Sequence, residues 1–455
     1  LTSKRKKTIE YNCFQSYSLL ILHLETFCLS TNLKLMKTKT NFRWAILSLL
    51  FMATTILYID RSALGILAPD LQKSIGWTEQ QYGIINSVFM IAYAVCFLFM
   101  GKIIDNIGTR KGYLISIIIW AIATLGHALA RSWVGFAVAR FSLAVGQSGN
   151  FPSAIKAVAE WFPKKDRALA VGIFNGGANM GTILSPLIIP VLVLAVGDWR
   201  IGFLWTFPIS IIWVFLWLKF YRKPEDTSRI SKDELQYIGS DDADNQFVEK
   251  VRWKDILPHR GTWAIAVAKF MADPIWWFYL FWGAKFLNEK FGLNLKEIGL
   301  PFFAIYLVSW GIGIFLGWLS GKFMKGGFSL NKGRKLGLFS CALFAIPVAF
   351  VPHVSNMWLA VGLIALAAGG HCGWSANVFS LMSDIFPKKA TASVAGFGGF
   401  AGAVGGAIVA FGVGKILQDI GVDGYAIPFA VAGCGYLIAL AVVHLLVPEI
   451  KTIKI

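Results

Sequence analysis

The sequence predicts an all-α integral membrane protein, with about twelve transmembrane helices in two six-helix halves. Three observations lead there. The chain is 56% hydrophobic and 15% charged, against about 25% charged for soluble domains, and runs such as "AILSLLFMATTILYI" and "YLISIIIWAIATLGHALA" hold no charge at all. The cations collect in alternate connections. Two motifs recur at nearly one offset.

A bilayer-spanning helix needs roughly 20 mostly apolar residues. Twelve such segments begin near residues 44, 80, 111, 133, 166, 200, 262, 297, 335, 355, 390 and 424. A net charge of +18 would suggest nucleic acid in a soluble protein. Here Lys and Arg sit in "GKIIDNIGTRK", "FPKKDR", "KFYRKPED", "GKFMKGGFSLNKGRK", "FPKKATA" and "PEIKTIKI". These all fall on one side of the count, which is the positive-inside pattern. It places both ends of the helical core in the cytoplasm and leaves no nucleic-acid partner to invoke. Arg131, Lys285 and Lys290 are the exceptions, expected to face outward.

Residues 1–40 are expected to be a disordered or over-translated tail, since "MKTKTNFRWAI" at Met36 reads as an ordinary start. Residues 41–221 form the first six-helix half and 261–449 the second. Residues 222–260 between them are too charged to insert and read as a cytoplasmic linker with a short surface helix. Residues 450–455 are a cytoplasmic tail. "EWFPKKDRALAVG" at Glu160 matches "DIFPKKATASVAG" at Asp384, an offset of 224, and Gly101-Lys102 matches Gly321-Lys322 at 220. Duplicated halves around a central site are a plan of alternating-access transporters.

Charges at membrane depth cost about 2.5–3.5 kcal/mol each on insertion scales, and so mark sites or pairs. The first span holds Asp60 and Arg61, about 100° apart on the helix, so that they address different neighbours. In "WVGFAVARFSLAVGQSGNFP" the fourth span carries Arg140 and, two turns later on the same face, Gln147. Arg140 reads either as a structural partner of Asp60 or as a guanidinium fork for a carboxylate. Tyr58 and Tyr93 offer hydroxyls. Asn175 and Asn179 share one face of the fifth span. In the seventh, Lys269 and Asp273 are four residues apart, and a structural pair is as consistent as a transport role. Trp276, Trp277, Tyr279 and Trp282 suit an interfacial belt or a sugar-stacking surface. The tenth span holds His371, Trp374, Ser375 and Asn377, either lining a cavity or bonding between helices.

Neither a P-loop nor an HExxH motif occurs, and the six cysteines form no CxxC pair. Enzyme, ATP-driven, metal and cofactor chemistry therefore have no sequence support.

"GKIIDNIGTRKG" fits the GxxxDxxGxR loop signature of the major facilitator superfamily, with Gly101, Asp105, Gly108 and Arg110 at its marked positions. In that family the loop latches the outward-open state. Gly101 is expected to let two helices approach, and Asp105 to pair with Arg110 or cap the next helix. "YIDRSALGILAPDL", "GQSGNFPSAIKAVAEWFPKKDRALAVGIFNGGANMG", "DPIWWFYLFW" and "HCGWSANVFSLMSDIFPKKATASVAGFGG" resemble its anion:cation symporter branch, most closely bacterial hexuronate transporters, from about Asn41 to Glu449. The resemblance implies that Arg61 and Arg140 hold a substrate carboxylate. Tyr58, Tyr93, Asn175, Trp276, Trp277, Trp374, Ser375 and Asn377 complete the expected substrate site.

It further implies that Asp60 carries the proton. Relatives usually have Glu where Gln147 stands, and Gln cannot release a proton. Coupling then rests on Asp60 alone, or position 147 is frozen in one protonation-like state. The expected activity is import of a sugar-acid anion such as glucuronate or galacturonate across the bacterial inner membrane, coupled to H⁺ or another cation, in contact with membrane lipid. The alternatives are an uncoupled facilitator, a symporter for an aldonate or aldarate, and a non-transporting membrane sensor. A linker of roughly forty residues leaves no room for a sensor's output domain.

Overall fold

The computed structural model describes residues 41–240 and 253–453. The expected tail over 1–40, residues 241–252 of the linker and residues 454–455 lie outside the described residues. Among the described residues the regular structure is helical, with no strand.

Twelve spans follow in order. The first five are Phe42–Ile75, Glu79–Ile107, Thr109–Leu129, a fourth in two pieces (Trp133–Gln147 and Asn150–Trp161), and Lys164–Val196. The sixth is Ile201–Phe220. After a short helix, Lys232–Ile238, come the seventh, Arg260–Phe291, and the eighth, Leu295–Lys325. The ninth is Leu330–His353. Met357–Ile385, Lys388–Ile420 and Ala426–Leu446 complete the set. Every start lies within five residues of its expected position. The first span, at 34 residues, is about 50 Å long at ~1.5 Å per residue, so it extends beyond a hydrocarbon core of about 30 Å.

Local chemistry repeats between the halves. The second and eighth spans both open on a capping box, Thr78 with Gln81 and Asn294 with Glu297, which satisfies backbone N–H groups that the helix leaves free. The first and seventh end on left-handed glycines, Gly76 at φ 77° and Gly292 at φ 73°, a conformation other residues avoid. The fifth and eleventh start after Phe-Pro, with Pro163 and Pro387 at nearly equal angles. The motif match at offset 224 is thus a match in backbone geometry.

The fourth span breaks at Ser148–Gly149, directly after Gln147. A side chain on Gly149 would run into Ser116 of the third span, and one on Gly146 would lie 2.5 Å from the Trp120 amide nitrogen. The small residues of "GQSGN" let these two helices touch and hold Gln147 in the core. The halves meet where the second span packs on the eleventh, the fifth on the eighth and the first on the seventh.

Candidate functional site

Asp60 and Arg61 are both buried, and as neighbours on one helix they turn to different partners. Arg61 Nε donates to Gln147 Oε1 at 2.7 Å. Its guanidinium lies 4.5 Å from the centre of the Tyr93 ring, 5.3 Å from Tyr58, and 5.4 Å from both Phe89 and Trp277. Arg140 is wholly buried. Its Nη2 donates to the Arg61 carbonyl at 3.3 Å, and its guanidinium lies 5.3 Å from the same Phe89 ring. Aromatic faces attract cations by about 2 kcal/mol or more when desolvated, which offsets part of the cost of burying two guanidiniums. Three nitrogens, Arg61 Nη2, Arg140 Nε and Arg140 Nη1, are buried with no hydrogen-bond partner in the protein. A buried charge left this way is costly, and oxygens of an anion are acceptors that would satisfy it.

Asp60 makes no ion pair with Arg140 among the described residues. Its Oδ1 instead accepts the Thr206 hydroxyl of the sixth span at 2.6 Å, and Oδ2 is buried without a partner. Of the two readings of Arg140, the pair with Asp60 is not the one formed here. Gln147 is held at both ends of its amide. The oxygen takes Arg61 Nε–H, and Nε2 donates to the Leu57 carbonyl at 3.3 Å. These two partners fix which end is which.

The second half faces this cluster with an aromatic group. Trp277 reaches Arg61, as given above. Trp276 stacks on His371 at 5.2 Å between centroids, and His371 Nδ1 is 2.9 Å from the Tyr436 hydroxyl. Lys269 and Asp273 form an ion pair at 2.9 Å. Ser375 is half-buried and Asn175 exposed. Trp374 and Asn377 are committed elsewhere. Trp374 packs edge-on to Tyr436, and Asn377 Nδ2 donates to the Gly373 carbonyl on its own helix. Trp374 thus takes the interhelical role, while the Asn377 bond stays within its own helix.

The loop signature is arranged differently from expectation. Asp105 pairs with Lys156 of the fourth span at 2.8 Å, whereas Arg110 donates to the Leu218 carbonyl at 2.7 Å. Lys156 of the fourth span is the basic partner that Asp105 takes here, and Arg110 is turned to the sixth span. A Cβ on Gly101 would meet nothing within 4 Å, so no close helix approach depends on it here. Gly108 sits at φ 84° and is both the end of the second span and the start of the third. Nearby, Glu160 accepts the Thr109 hydroxyl at 2.6 Å and the Tyr221 hydroxyl. Burial and that carboxylate push the Tyr221 phenol well above its ordinary range.

Sequence reasoning missed Thr206 and Phe89, since an isolated Thr or Phe in an apolar run carries no signal. It also set Lys285 apart as an outward cation. Lys285 is buried, bonded to Glu79 at 2.7 Å, to Glu289 at 3.0 Å and to Gln72.

The family model of the Major Facilitator Superfamily matches residues 50–410. The hexuronate transporter of Escherichia coli (strain K12) is 30% identical over 391 residues, covering 85% of this chain and 90% of that protein. The galacturonate transporter of Dickeya chrysanthemi is 33% identical over 332 residues, 72% and 95% of the two chains. Among solved structures, a bacterial homologue of the human lysosomal transporter Spinster, inward-facing and unoccupied, superposes with a TM-score of 0.74 at 17% identity, over 90% of this chain and 97% of its own. A D-xylose–proton symporter gives 0.71 at 14%, over 91% and 100%. At those identities the structures speak for the fold alone. Twelve spans in repeated halves, paired arginines buried between them and a model match over most of the chain converge: the protein is a membrane transporter that belongs to the major facilitator superfamily.

Proposed function

We propose that the protein imports a sugar-acid anion, a hexuronate such as galacturonate or glucuronate, across the bacterial inner membrane, with both ends of its helical core in the cytoplasm. The observation that carries this reading is the set of three unpaired guanidinium nitrogens on Arg61 and Arg140, walled by aromatic rings. A carboxylate is the planar acceptor that such forks suit. Trp276 and Trp277 supply ring faces for the sugar, and Tyr58, Tyr93, Asn175 and Ser375 supply polar contacts. The hexuronate and galacturonate transporters among its relatives support the same cargo.

Asp60 is the proposed proton carrier. It is a buried carboxylate next to Arg61, and among the described residues its Oδ2 has no hydrogen-bond partner, so a proton can be taken up there without breaking the Thr206 bond. Gln147 cannot exchange a proton, so accumulation driven by a pH gradient is weak.

Uptake of labelled galacturonate into proteoliposomes, with a panel of competing sugar acids, tests the assignment. Arg61→Lys and Arg140→Lys should each weaken binding about tenfold or more, because Lys lacks the planar fork and one charge-assisted hydrogen bond is worth about 1.5–3 kcal/mol. Near-normal affinity in both variants would remove the arginine clamp. Absence of uptake of every sugar acid would remove the function.

A further inference from the structure

The Lys269–Asp273 pair has no part in the clamp, yet it is built into the same wall. Asp273, Trp276 and Trp277 lie on one face of the seventh span, at spacings of three and four residues. Trp277 touches Arg61, and Asp273 sits one turn farther along, about 6 Å of helix rise. That is roughly the length of a six-carbon chain, five bonds of about 1.5 Å. The clamp and the pair therefore stand at two poles of one site.

The eleventh span makes room for the pair. A Cβ on Gly402 would fall on the Asp273 carboxylate, and one on Gly398 would lie 2.9 Å from Lys269 Cδ. Lys269 Nζ is 2.9 Å from one carboxylate oxygen and 3.2 Å from the other, so both face the same cation. The side chains keep 12% and 20% exposure, enough for a bound molecule to touch them. The far pole is thus polar but carries no net charge.

We propose that Asp273, by neutralising Lys269, restricts the transporter to sugar acids with a single carboxylate. The first carboxylate takes the arginines. At the other end Asp273 accepts hydroxyl hydrogens from a neutral polyol. An aldarate would bring a second carboxylate against Asp273, and Lys269 could answer it only by abandoning its partner. Freed of Asp273, Lys269 would be a cation waiting at that position.

The proposal rests on the sugar-acid reading and is tested by ratios of affinity. Binding of galacturonate and galactarate to the purified full-length protein is measured by calorimetry or by competition. Wild type should favour galacturonate. Asp273→Asn keeps size and hydrogen bonding but releases Lys269, and should move the galactarate-to-galacturonate affinity ratio upward about tenfold or more, the smallest effect of one charge-assisted hydrogen bond. Lys269→Gln leaves Asp273 unneutralised and should move the ratio the opposite way, which keeps the test alive if the first variant does not fold. Wild type that binds both acids equally, or a ratio unchanged in the folded variants, overturns the proposal while leaving the sugar-acid assignment intact. Failure of wild type to bind either acid overturns both.

Discussion

Lys285 closes the end of the bundle opposite the basic loops, and its removal should open it. Its Nζ bonds Glu79 of the second span at 2.7 Å and Gln72 of the first, both in the other half. Within its own half it bonds Glu289 at 3.0 Å, and Glu289 also accepts the Tyr425 hydroxyl. When the halves part at this end, the Glu289 contacts persist and those to Glu79 and Gln72 break. The latch strength is therefore the inter-half part, at least one charge-assisted hydrogen bond of about 1.5–3 kcal/mol. Lys285→Met removes it. It also leaves Glu79, half-buried, and Glu289, exposed, near each other with no cation between them, a like-charge repulsion that falls only on the closed form. The population should shift toward opening at this end by about 10- to 150-fold, the equivalent of those energies. Spin labels at Arg131 and Ser355, exposed in loops of the two halves at this end, would report the shift as a longer distance distribution. An unchanged distribution in the folded variant would refute the latch and leave Lys285 a packing residue.

Other expectations follow from single contacts. Gln147→Glu should introduce or strengthen accumulation of substrate driven by a pH gradient in proteoliposomes; equal accumulation by both forms would leave Asp60 as sole carrier. If the loop latches the opposite state, as the resemblance implies, Asp105→Ala should favour the conformation described here, because the exposed Asp105–Lys156 pair contributes under about 1 kcal/mol to it; cross-linking that shows an unchanged population would end that role. Thr206→Val strips Asp60 Oδ1 of its donor and should cost about 1–3 kcal/mol, seen as a lower unfolding temperature, with Thr206→Ser close to wild type.

The fold was legible because span length and charge placement are properties of single segments. Each apolar run has to satisfy its own backbone in lipid and so becomes a helix, and the cap residues repeat along with the motifs, as Thr78 and Asn294 do. The site was legible only as far as it lies on individual helices. Arg61 and Arg140 stand out because a cation in an apolar run is conspicuous on its own. Their surroundings do not, since Asp60 meets Thr206 across 146 residues and Lys285 meets Gln72 across 213. The sequence points Asp105 to Arg110 or to the cap of the next helix, and its partner Lys156 lies 51 residues away on another span.

Gln147 joins these two levels. As a sequence feature it is an amide seven residues after an arginine. In three dimensions its oxygen accepts from Arg61 while its nitrogen donates to the Leu57 carbonyl. A carboxylate in the same place would keep the first bond and lose the second, because two acceptors would then face each other. A carboxylic acid would keep both. The pocket is therefore shaped for the protonated form of a glutamate, and the amide reproduces that form permanently. Arg61 stays available to a substrate whatever the pH, and the substrate's arrival has no proton at position 147 to displace. On the proposed coupling, the reciprocal link between proton and anion runs through Asp60, whose contact with the clamp is through the backbone it shares with Arg61 and through the field of Arg140. That is a weaker connection than a direct hydrogen bond to Arg61, and it is the physical reason for expecting this transporter to bind its anion readily and to concentrate it poorly.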